Sequence, residues 1–277
     1  MGKITDALER RKKEKSLISE TLPVKGGEKT VEEVSEAAFA KEYCSLNECS
    51  EKMVVLSAPE SVDTEIFKTL RARILFSKNH DKPQTLLITS TFPGEGKTFV
   101  AANLAVSVAL GIDEYVLLVD CDLRHPGLHE MLGHTNKEGL KEHLNDNRPL
   151  EDLIVRTNIP KLSLLPAGRP PPNPTELLSS AIMESFLEEV RGRYPDRIII
   201  IDSTPSLITS EASILARHVD GVVLVIMAQK APKQAILKAV ENVGSNKILG
   251  IVFNGYKEAN KSYHKYYKKY YRYQGRS

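Results

Sequence analysis

The sequence predicts an α/β fold in which a mostly parallel sheet is covered by helices on both faces. Two observations predict it. Segments with helical spacing of apolar residues alternate with short segments that are predicted strands, and the residues of these strands are almost all apolar. Strands buried on both faces have this composition, whereas strands with one solvated face alternate apolar and polar residues. The predicted strands are residues 84–90, 115–120, 162–165, 197–202, 222–227 and 247–253.

Helices are predicted between these strands. Asn173 precedes Pro174, and Glu176 follows Asn173 at the spacing of a capping box. This pattern predicts one helix that begins at Pro174 and continues to about Arg193. Helical spacing of apolar residues predicts further helices at residues 65–75, 97–110, 210–218 and 232–243.

Composition divides the chain of 277 residues into three parts. Residues 1–52 are predicted to be a charged N-terminal helix and a linker, residues 53–255 a folded domain, and residues 256–277 a disordered, flexible tail. The predicted helix near residues 3–15 could dock to a partner or to an anionic membrane surface. It could equally be a solvated terminal helix without a partner. No apolar run reaches the ~18 residues of a membrane span, the first residues lack an apolar signal core, and the three cysteines lack metal-ligand spacing. We therefore expect a cytoplasmic protein.

A phosphate-binding loop is predicted directly after the first strand. Residues 91–98 read Thr-Phe-Pro-Gly-Glu-Gly-Lys-Thr and lead into a predicted helix. Gly94 and Gly96 let the backbone N–H groups converge on phosphate oxygens, and the helix N-terminus adds its dipole. Lys97 can reach the β- and γ-phosphates, and Thr98 can ligate Mg²⁺. Because the motif lies between a strand and a helix, it indicates a P-loop NTPase, although Thr91 replaces the usual first glycine.

Three carboxylates follow predicted strands. Asp120 and Asp122 end the second strand, and Asp202 ends the fourth. Ligands in such sheets bind beyond the carboxyl ends of the strands, and Mg²⁺ prefers carboxylate oxygens. Asp202 is therefore a candidate metal-side residue, and one of the other two could accept the proton of an attacking hydroxyl. Alternatively, Asp120 and Asp122 cap a loop or pair with Arg124.

The C-terminal tail contains six of the ten tyrosines of the chain, interleaved with basic residues. Such a segment could stack on single-stranded nucleic acid or bind an acidic membrane surface. A P-loop and a candidate base in the same chain favour a cluster of phosphate acceptors instead. The candidate acceptors are Tyr263, Tyr266, Tyr267, Tyr270, Tyr271 and Tyr273.

From about residue 54 onward the chain resembles the bacterial tyrosine kinases (BY-kinases) of capsule and exopolysaccharide export. The charged N-terminal helix resembles that of the exosortase-linked autokinases. The matching segments are residues 91–98, 118–124, 165–168, 173–178, 200–205, 219–224 and 250–254, followed by the tyrosine cluster.

The resemblance implies an ATP- and Mg²⁺-dependent tyrosine autokinase whose activity regulates polysaccharide export. It implies that Lys97, Asp120 and Asp122 are catalytic, with Asp120 as the base. It also implies that Thr98, Asp122 and Asp202 serve the metal. The residues that it implies for ATP binding are Pro93, Gly94, Glu95, Gly96, Lys97, Thr98, Phe99 and Asn254.

The resemblance also implies partners. Members of the family form rings through a Glu-x-x-Arg-x-x-Arg helix, which here reads Glu65, Lys68 and Arg71. Lysine keeps the charge of the first arginine but loses its planar fork. A membrane adaptor of the chain-length-determinant type would hold the protein at the inner membrane, and a cognate tyrosine phosphatase would reverse its reaction. No nucleic acid partner is expected.

The ParA/MinD partitioning ATPases are the alternative, because they share the P-loop and the strand-end aspartate without kinase activity. They carry an additional lysine near the start of the loop, where this chain has Phe92, and they lack a tyrosine-rich tail. A scaffold that binds ATP with little catalysis is a third interpretation, which the intact lysine and carboxylates oppose.

Overall fold

A computed structural model describes residues 50–77 and 81–256 of the chain. The predicted N-terminal helix, most of the linker and the tyrosine-rich tail lie outside the described residues. Among the residues described, no helix combines the length and the apolar composition that crossing a membrane requires.

In the described part of the chain, seven strands form one sheet in the order β3-β4-β2-β5-β1-β6-β7. All neighbouring strands are parallel except β3 and β4, which are antiparallel. The predicted α/β class with a mostly parallel sheet is therefore confirmed. The strands are β1 (Thr85–Ser90), β2 (Tyr115–Asp120), β3 (Val155–Arg156), β4 (Leu162–Leu165), β5 (Arg197–Asp202), β6 (Gly221–Met227) and β7 (Ile248–Asn254).

Six of these strands match the predicted ones to within one residue at each end. β3 was not predicted, because a two-residue strand carries too little sequence pattern to be recognised. It pairs with β4 at the edge of the sheet, where Val155 lies opposite Leu164.

The helices lie on both faces of the sheet, as predicted. The described helices are α1 (Val54–Ser57), α2 (Val62–Leu75), α3 (Lys97–Ala109), α4 (Leu128–Met131), α5 (Leu140–Asp146), α6 (Leu150–Leu153), α7 (Pro174–Leu178), α8 (Ala181–Arg193), α9 (Glu211–His218) and α10 (Lys233–Val243), with a 3₁₀ turn at Ser245–Lys247.

Successive residues of the central strands enter different cores. Leu86 and Ile88 pack with the buried side chains of α3, whereas Leu87 between them packs with those of α8. This alternation is what a strand with two covered faces requires, because neighbouring side chains point to opposite sides. A smaller cluster, with Leu224 and Ala239, joins β6 to α10.

The single helix predicted from Pro174 to Arg193 was wrong. The structure contains two helices, α7 and α8, and the side chain of Asn173 makes no capping hydrogen bond. Ser180 begins the second helix instead, because its hydroxyl oxygen accepts a hydrogen bond from the N–H of Met183. Apolar spacing does not reveal such a break, since Leu177 before it and Phe186 after it enter the same core.

A buried asparagine connects α1 to the helix that follows the P-loop. The side-chain oxygen of Asn103 accepts from the N–H of Val55 at 3.2 Å. Its amide group donates to the carbonyl oxygens of Lys52 and Phe99, each at 3.0 Å. Because these bonds are made in a fully buried position, the segment that enters the domain depends on one side chain of α3.

We expect Asn103→Ala to lower the free energy of unfolding by about 1–3 kcal/mol, because the buried N–H of Val55 and the carbonyl oxygen of Lys52 lose their partner. Urea denaturation of the variant and the parent measures this difference. The exposed Asn158 is the control, and Asn158→Ala should change stability by less than about 0.5 kcal/mol. Equal effects of the two substitutions would contradict the proposed connection.

Candidate active site

The candidate site lies where β1, β2 and β5 end at the carboxyl edge of the sheet. β5 lies between the other two strands, and its register places Asp202 beside Asp120 of β2. The P-loop leaves β1 at Ser90 and enters α3 at Lys97. The strand order therefore brings together the loop and the strand-end carboxylates that the sequence analysis selected.

Two glycines shape the P-loop. Gly94 and Gly96 have φ angles of 75° and 91°, which side chains other than glycine rarely adopt. At Gly96 a Cβ atom would also lie 2.1 Å from Nδ2 of Asn254. The first N–H groups of α3, which begins here, have no acceptor within the helix and suit phosphate oxygens.

Lys97 lies among buried carboxylates. Its Nζ is 2.7 Å from Oδ2 of Asp122 and 3.8 Å from Oδ2 of Asp202. It also donates to Oγ1 of Thr98 at 3.2 Å. Burial would lower the pKa of Lys97, but the neighbouring carboxylates of Asp202 and Asp122 outweigh it and raise the pKa. The lysine is thus a stable cation at the point where a phosphate chain would lie.

Thr98 and Asp202 form the part of the site that fits Mg²⁺. The hydroxyl of Thr98 donates to Oδ2 of Asp202 at 2.6 Å. The other oxygen of this carboxylate, Oδ1, is buried and has no hydrogen-bond partner among the described residues. A buried carboxylate oxygen without a partner is costly, and a hard cation or its water would satisfy it. The donor set therefore fits the metal that the sequence predicts.

Asp120 is fully buried and holds the loop that follows β2. Its Oδ1 accepts from the N–H of Asp122 at 3.2 Å, and its Oδ2 accepts from those of Gly127 and Leu128 at 3.1 Å. Burial raises the pKa of Asp120, and the nearby Asp202 raises it further. A carboxylate with a raised pKa is better matched to accepting a proton near neutral pH.

Asp122 lies in the loop between β2 and α4 and faces the lysine. Its Oδ1 accepts from the N–H of His125 at 2.9 Å, while its Oδ2 pairs with Lys97. Both aspartates therefore organise the loop after β2, and Asp122 in addition contacts the P-loop lysine. Cys121 between them is buried and packs in the core.

Glu95, Phe99 and Asn254 take positions that the motif alone did not predict. The carboxylate of Glu95 points into the loop and accepts the N–H of Phe92 at 2.7 Å. Asn254 donates from Nδ2 to the carbonyl oxygen of Glu95 at 2.8 Å. The ring of Phe99 packs edge-on against Phe67 of α2, with 5.7 Å between centroids. Pro93 and Gly94 form the exposed tip of the loop.

Arg124 forms a network that the sequence analysis did not predict. It pairs neither with Asp120 nor with Asp122; its Nε donates to Oε1 of Glu211 at 2.9 Å, and its Nη2 donates to Thr175 at 3.0 Å. Glu211 is fully buried at the start of α9. No local pattern connects these residues, since 87 positions separate the arginine from the glutamate.

The three predicted oligomerisation residues make contacts within α2 and with α3. Lys68 forms an ion pair with Glu65 at 2.5 Å. Arg71 donates from Nη1 to the carbonyl oxygen of Ser107 at 2.6 Å, near the end of α3, where a cation is favoured by the helix dipole. Their part in an assembly stays a prediction, and the predicted acceptor tyrosines lie outside the described residues.

The raised pKa of Asp202 leads to a pH-dependent prediction. Burial is its largest cause, and Lys97 and Thr98 only partly offset it. The folded chain therefore keeps a proton that the unfolded chain has already lost, so this group costs stability as the pH rises through the folded pKa. We expect the difference in unfolding free energy between Asp202→Asn and the parent to shift in favour of the variant between about pH 4.5 and pH 6.5, around the folded pKa of about 6, and to level off above this range.

Urea denaturation without Mg²⁺ across this range measures the shift. Asp220→Asn is the matched control, because N–H groups of Thr85 and Gln84 outweigh burial and lower the pKa of Asp220. The carboxylate of Asp220 stays ionised over this pH range. The difference in unfolding free energy between Asp220→Asn and the parent should therefore stay constant. A pH-independent difference for Asp202→Asn would contradict the proposed electrostatic cost.

The chain is similar to known proteins in sequence and in fold. Residues 84–248 match a family described as an AAA domain. The chain is 36% identical over 216 residues to the tyrosine-protein kinase YwqD of Bacillus subtilis, a match that covers 77% of this chain and 90% of YwqD. The kinase domain of the Escherichia coli tyrosine kinase ETK aligns with a TM-score of 0.69 at 28% identity, over 75% of this chain and 82% of that one.

Likeness to the partitioning-type ATPases is weaker. The septum site-determining protein MinD of Pyrococcus horikoshii aligns with a TM-score of 0.53 at 22% identity, over 63% of this chain and 72% of that one. That likeness shows a shared fold alone, so the ParA/MinD alternative is not favoured. The chain belongs to the family of bacterial tyrosine-protein kinases.

Proposed function

We propose that the chain is an ATP-dependent tyrosine autokinase that phosphorylates its own C-terminal tyrosine cluster and thereby regulates export or polymerisation of an extracellular polysaccharide. One observation carries the proposal: the P-loop lysine lies 2.7 Å from Asp122 and next to the Thr98–Asp202 pair. Phosphoryl transfer needs positioning and neutralisation of charge more than covalent chemistry, and this cluster supplies both.

The P-loop residues 93–99 bind ATP in this proposal. The backbone N–H groups after Pro93 and the ammonium of Lys97 hold the phosphate oxygens, and Asn254 lies on the adenine side. Thr98, Asp122 and Asp202 hold Mg²⁺ directly or through its waters. When bound, Mg²⁺ neutralises charge on the transferred phosphoryl group.

The acceptor is a tyrosine hydroxyl, whose unperturbed pKa is about 10. Its oxygen bonds to the γ-phosphorus, the bond to the bridging oxygen breaks, and ADP leaves. The hydroxyl proton passes to Asp120, whose pKa is raised by burial and by neighbouring carboxylates and which is therefore suited to accept it.

The proposed domains and partners follow the same function. Residues 53–255 form the kinase domain, residues 1–52 a charged extension, and residues 256–277 the phosphate-acceptor segment. We infer a homo-oligomer that forms through the α2 face carrying Glu65, Lys68 and Arg71. A membrane adaptor of the chain-length-determinant type would stimulate the cytoplasmic kinase at the inner membrane, and a tyrosine phosphatase would remove the phosphates.

We expect Lys97→Met to abolish phosphate incorporation into the tyrosine cluster, because the phosphates lose their cation. Purified chain is incubated with MgATP, alone and with the cytoplasmic segment of the adaptor, and phosphotyrosine is located by mass spectrometry. A chain truncated after residue 256 is the control, because it keeps the site and lacks the acceptors. ATP hydrolysis without phosphotyrosine in the full chain, even with the adaptor segment, would contradict the kinase function.

We expect Asp120→Asn to affect the rate of phosphoryl transfer and Asp122→Asn to affect nucleotide binding. The first should lower kcat by about 10²–10⁴-fold, which is the usual contribution of a general base, and should retain MgADP binding. The second removes the partner of Lys97 and should change the affinity for MgADP. Single-turnover phosphorylation and calorimetric binding separate the two effects. Undiminished transfer by Asp120→Asn would exclude this residue as the base.

A further inference from the structure

Glu95 has an unusual place for an acidic side chain. It is buried within the P-loop, with 3% of its surface exposed. Its Oε2 accepts the N–H of Phe92 at 2.7 Å, and its Oε1 accepts the N–H of Met227 at 3.1 Å. One carboxylate thus joins the first half of the P-loop to the last residue of β6.

Asn254 extends this connection to β7. Its Nδ2 donates to the carbonyl oxygen of Glu95 at 2.8 Å and occupies the space beside Gly96 where a Cβ would otherwise lie. β6 and β7 are neighbours, and their register places Met227 beside Asn254. The side chain and the backbone of Glu95 are therefore attached to the ends of two adjacent strands.

The charge of Glu95 works against phosphate binding. A carboxylate within the loop repels a polyphosphate, and burial of a carboxylate without a cation is costly. Backbone N–H groups in charge-assisted bonds offset this cost. Removal of the charge of Glu95 therefore distinguishes two cases. If Glu95 does not position the loop, its neutralisation should strengthen phosphate binding. If it does position the loop, neutralisation should weaken phosphate binding.

We infer that Glu95 is a positioning residue that holds the P-loop in its phosphate-binding shape before nucleotide arrives. It does so by tying the loop to the ends of β6 and, together with Asn254, β7. The inference rests on the proposed function only in taking the loop as the phosphate site. Among the described strands β7 pairs with β6 alone, and a displacement of its end would change the shape of the loop.

The test is Glu95→Gln in the full chain. The amide keeps the size of the side chain but turns an NH₂ group toward one of the two N–H donors, so one hydrogen bond is lost. We expect the dissociation constant for MgADP to rise about tenfold, as loss of one charge-assisted bond implies. The KM for ATP should rise more than kcat falls, because the loop binds substrate and transition state alike.

Asp220→Asn is the matched control for a merely structural effect. Oδ2 of Asp220 also accepts two backbone N–H groups, from Gln84 and Thr85, but at the opposite end of β1. Asp220→Asn should lower the free energy of unfolding measured by urea denaturation without weakening MgADP binding. Unchanged or tighter MgADP binding by Glu95→Gln would overturn the inference, whereas no MgADP binding by the parent would overturn the proposed function itself.

Asn254→Ala tests the same connection if Glu95→Gln does not fold. Inorganic tripolyphosphate with Mg²⁺ is the probe, since it lacks adenine and reports on the loop alone. We expect weaker tripolyphosphate binding by the variant than by the parent. Equal binding, with weaker binding of MgADP only, would mean that Asn254 contacts the base and does not hold the loop.

Discussion

The ion pair between Lys97 and Asp122 lies at the point where the loop after β1 and the loop after β2 meet, and the rest of the site is arranged around it. Three carboxyl groups, from the ends of β2 and β5 and from the loop after β2, lie near this one lysine, and all of them are buried. One cation does not balance them in a medium of low dielectric constant. Burial, and after it the neighbouring carboxylates, raises the pKa of Asp120 and Asp202, and a divalent cation would offset the excess negative charge.

The geometry of the loop depends in turn on strands that supply none of these charges. β6 and β7 lie beyond β1 in the sheet, and hydrogen bonds of Glu95 and Asn254 connect their ends to the loop. The phosphate side and the proposed adenine side of the site are therefore parts of one hydrogen-bonded unit. This explains how an acidic residue can be tolerated in a loop that binds anions: its charge is directed at backbone N–H groups inside the fold.

Buried polar residues similarly connect the outer segments to the site. Asn103 ties the segment before α2 to the helix that carries Lys97. Arg124 is held by the buried Glu211 and by Thr175, so the loop after Asp122 is connected to α7 and α9. The side chain of Arg71 also donates a hydrogen bond to α3, at the carbonyl oxygen of Ser107. A movement at the surface that bears α1 and α2 therefore has a direct physical path to the P-loop helix.

The sequence by itself determined the α/β class, six of the strands, the phosphate loop and the strand-end carboxylates. Each of these leaves a local pattern: continuous apolar runs, glycines with a lysine, or an aspartate directly after a strand. Only the tertiary structure decided that α7 and α8 are separate helices, that Arg124 pairs with Glu211, and that the carboxylate of Glu95 turns inward. These features depend on the strand order and on donors far away in the chain, such as the N–H of Met227, and no local spacing encodes which distant backbone group will lie within hydrogen-bonding distance.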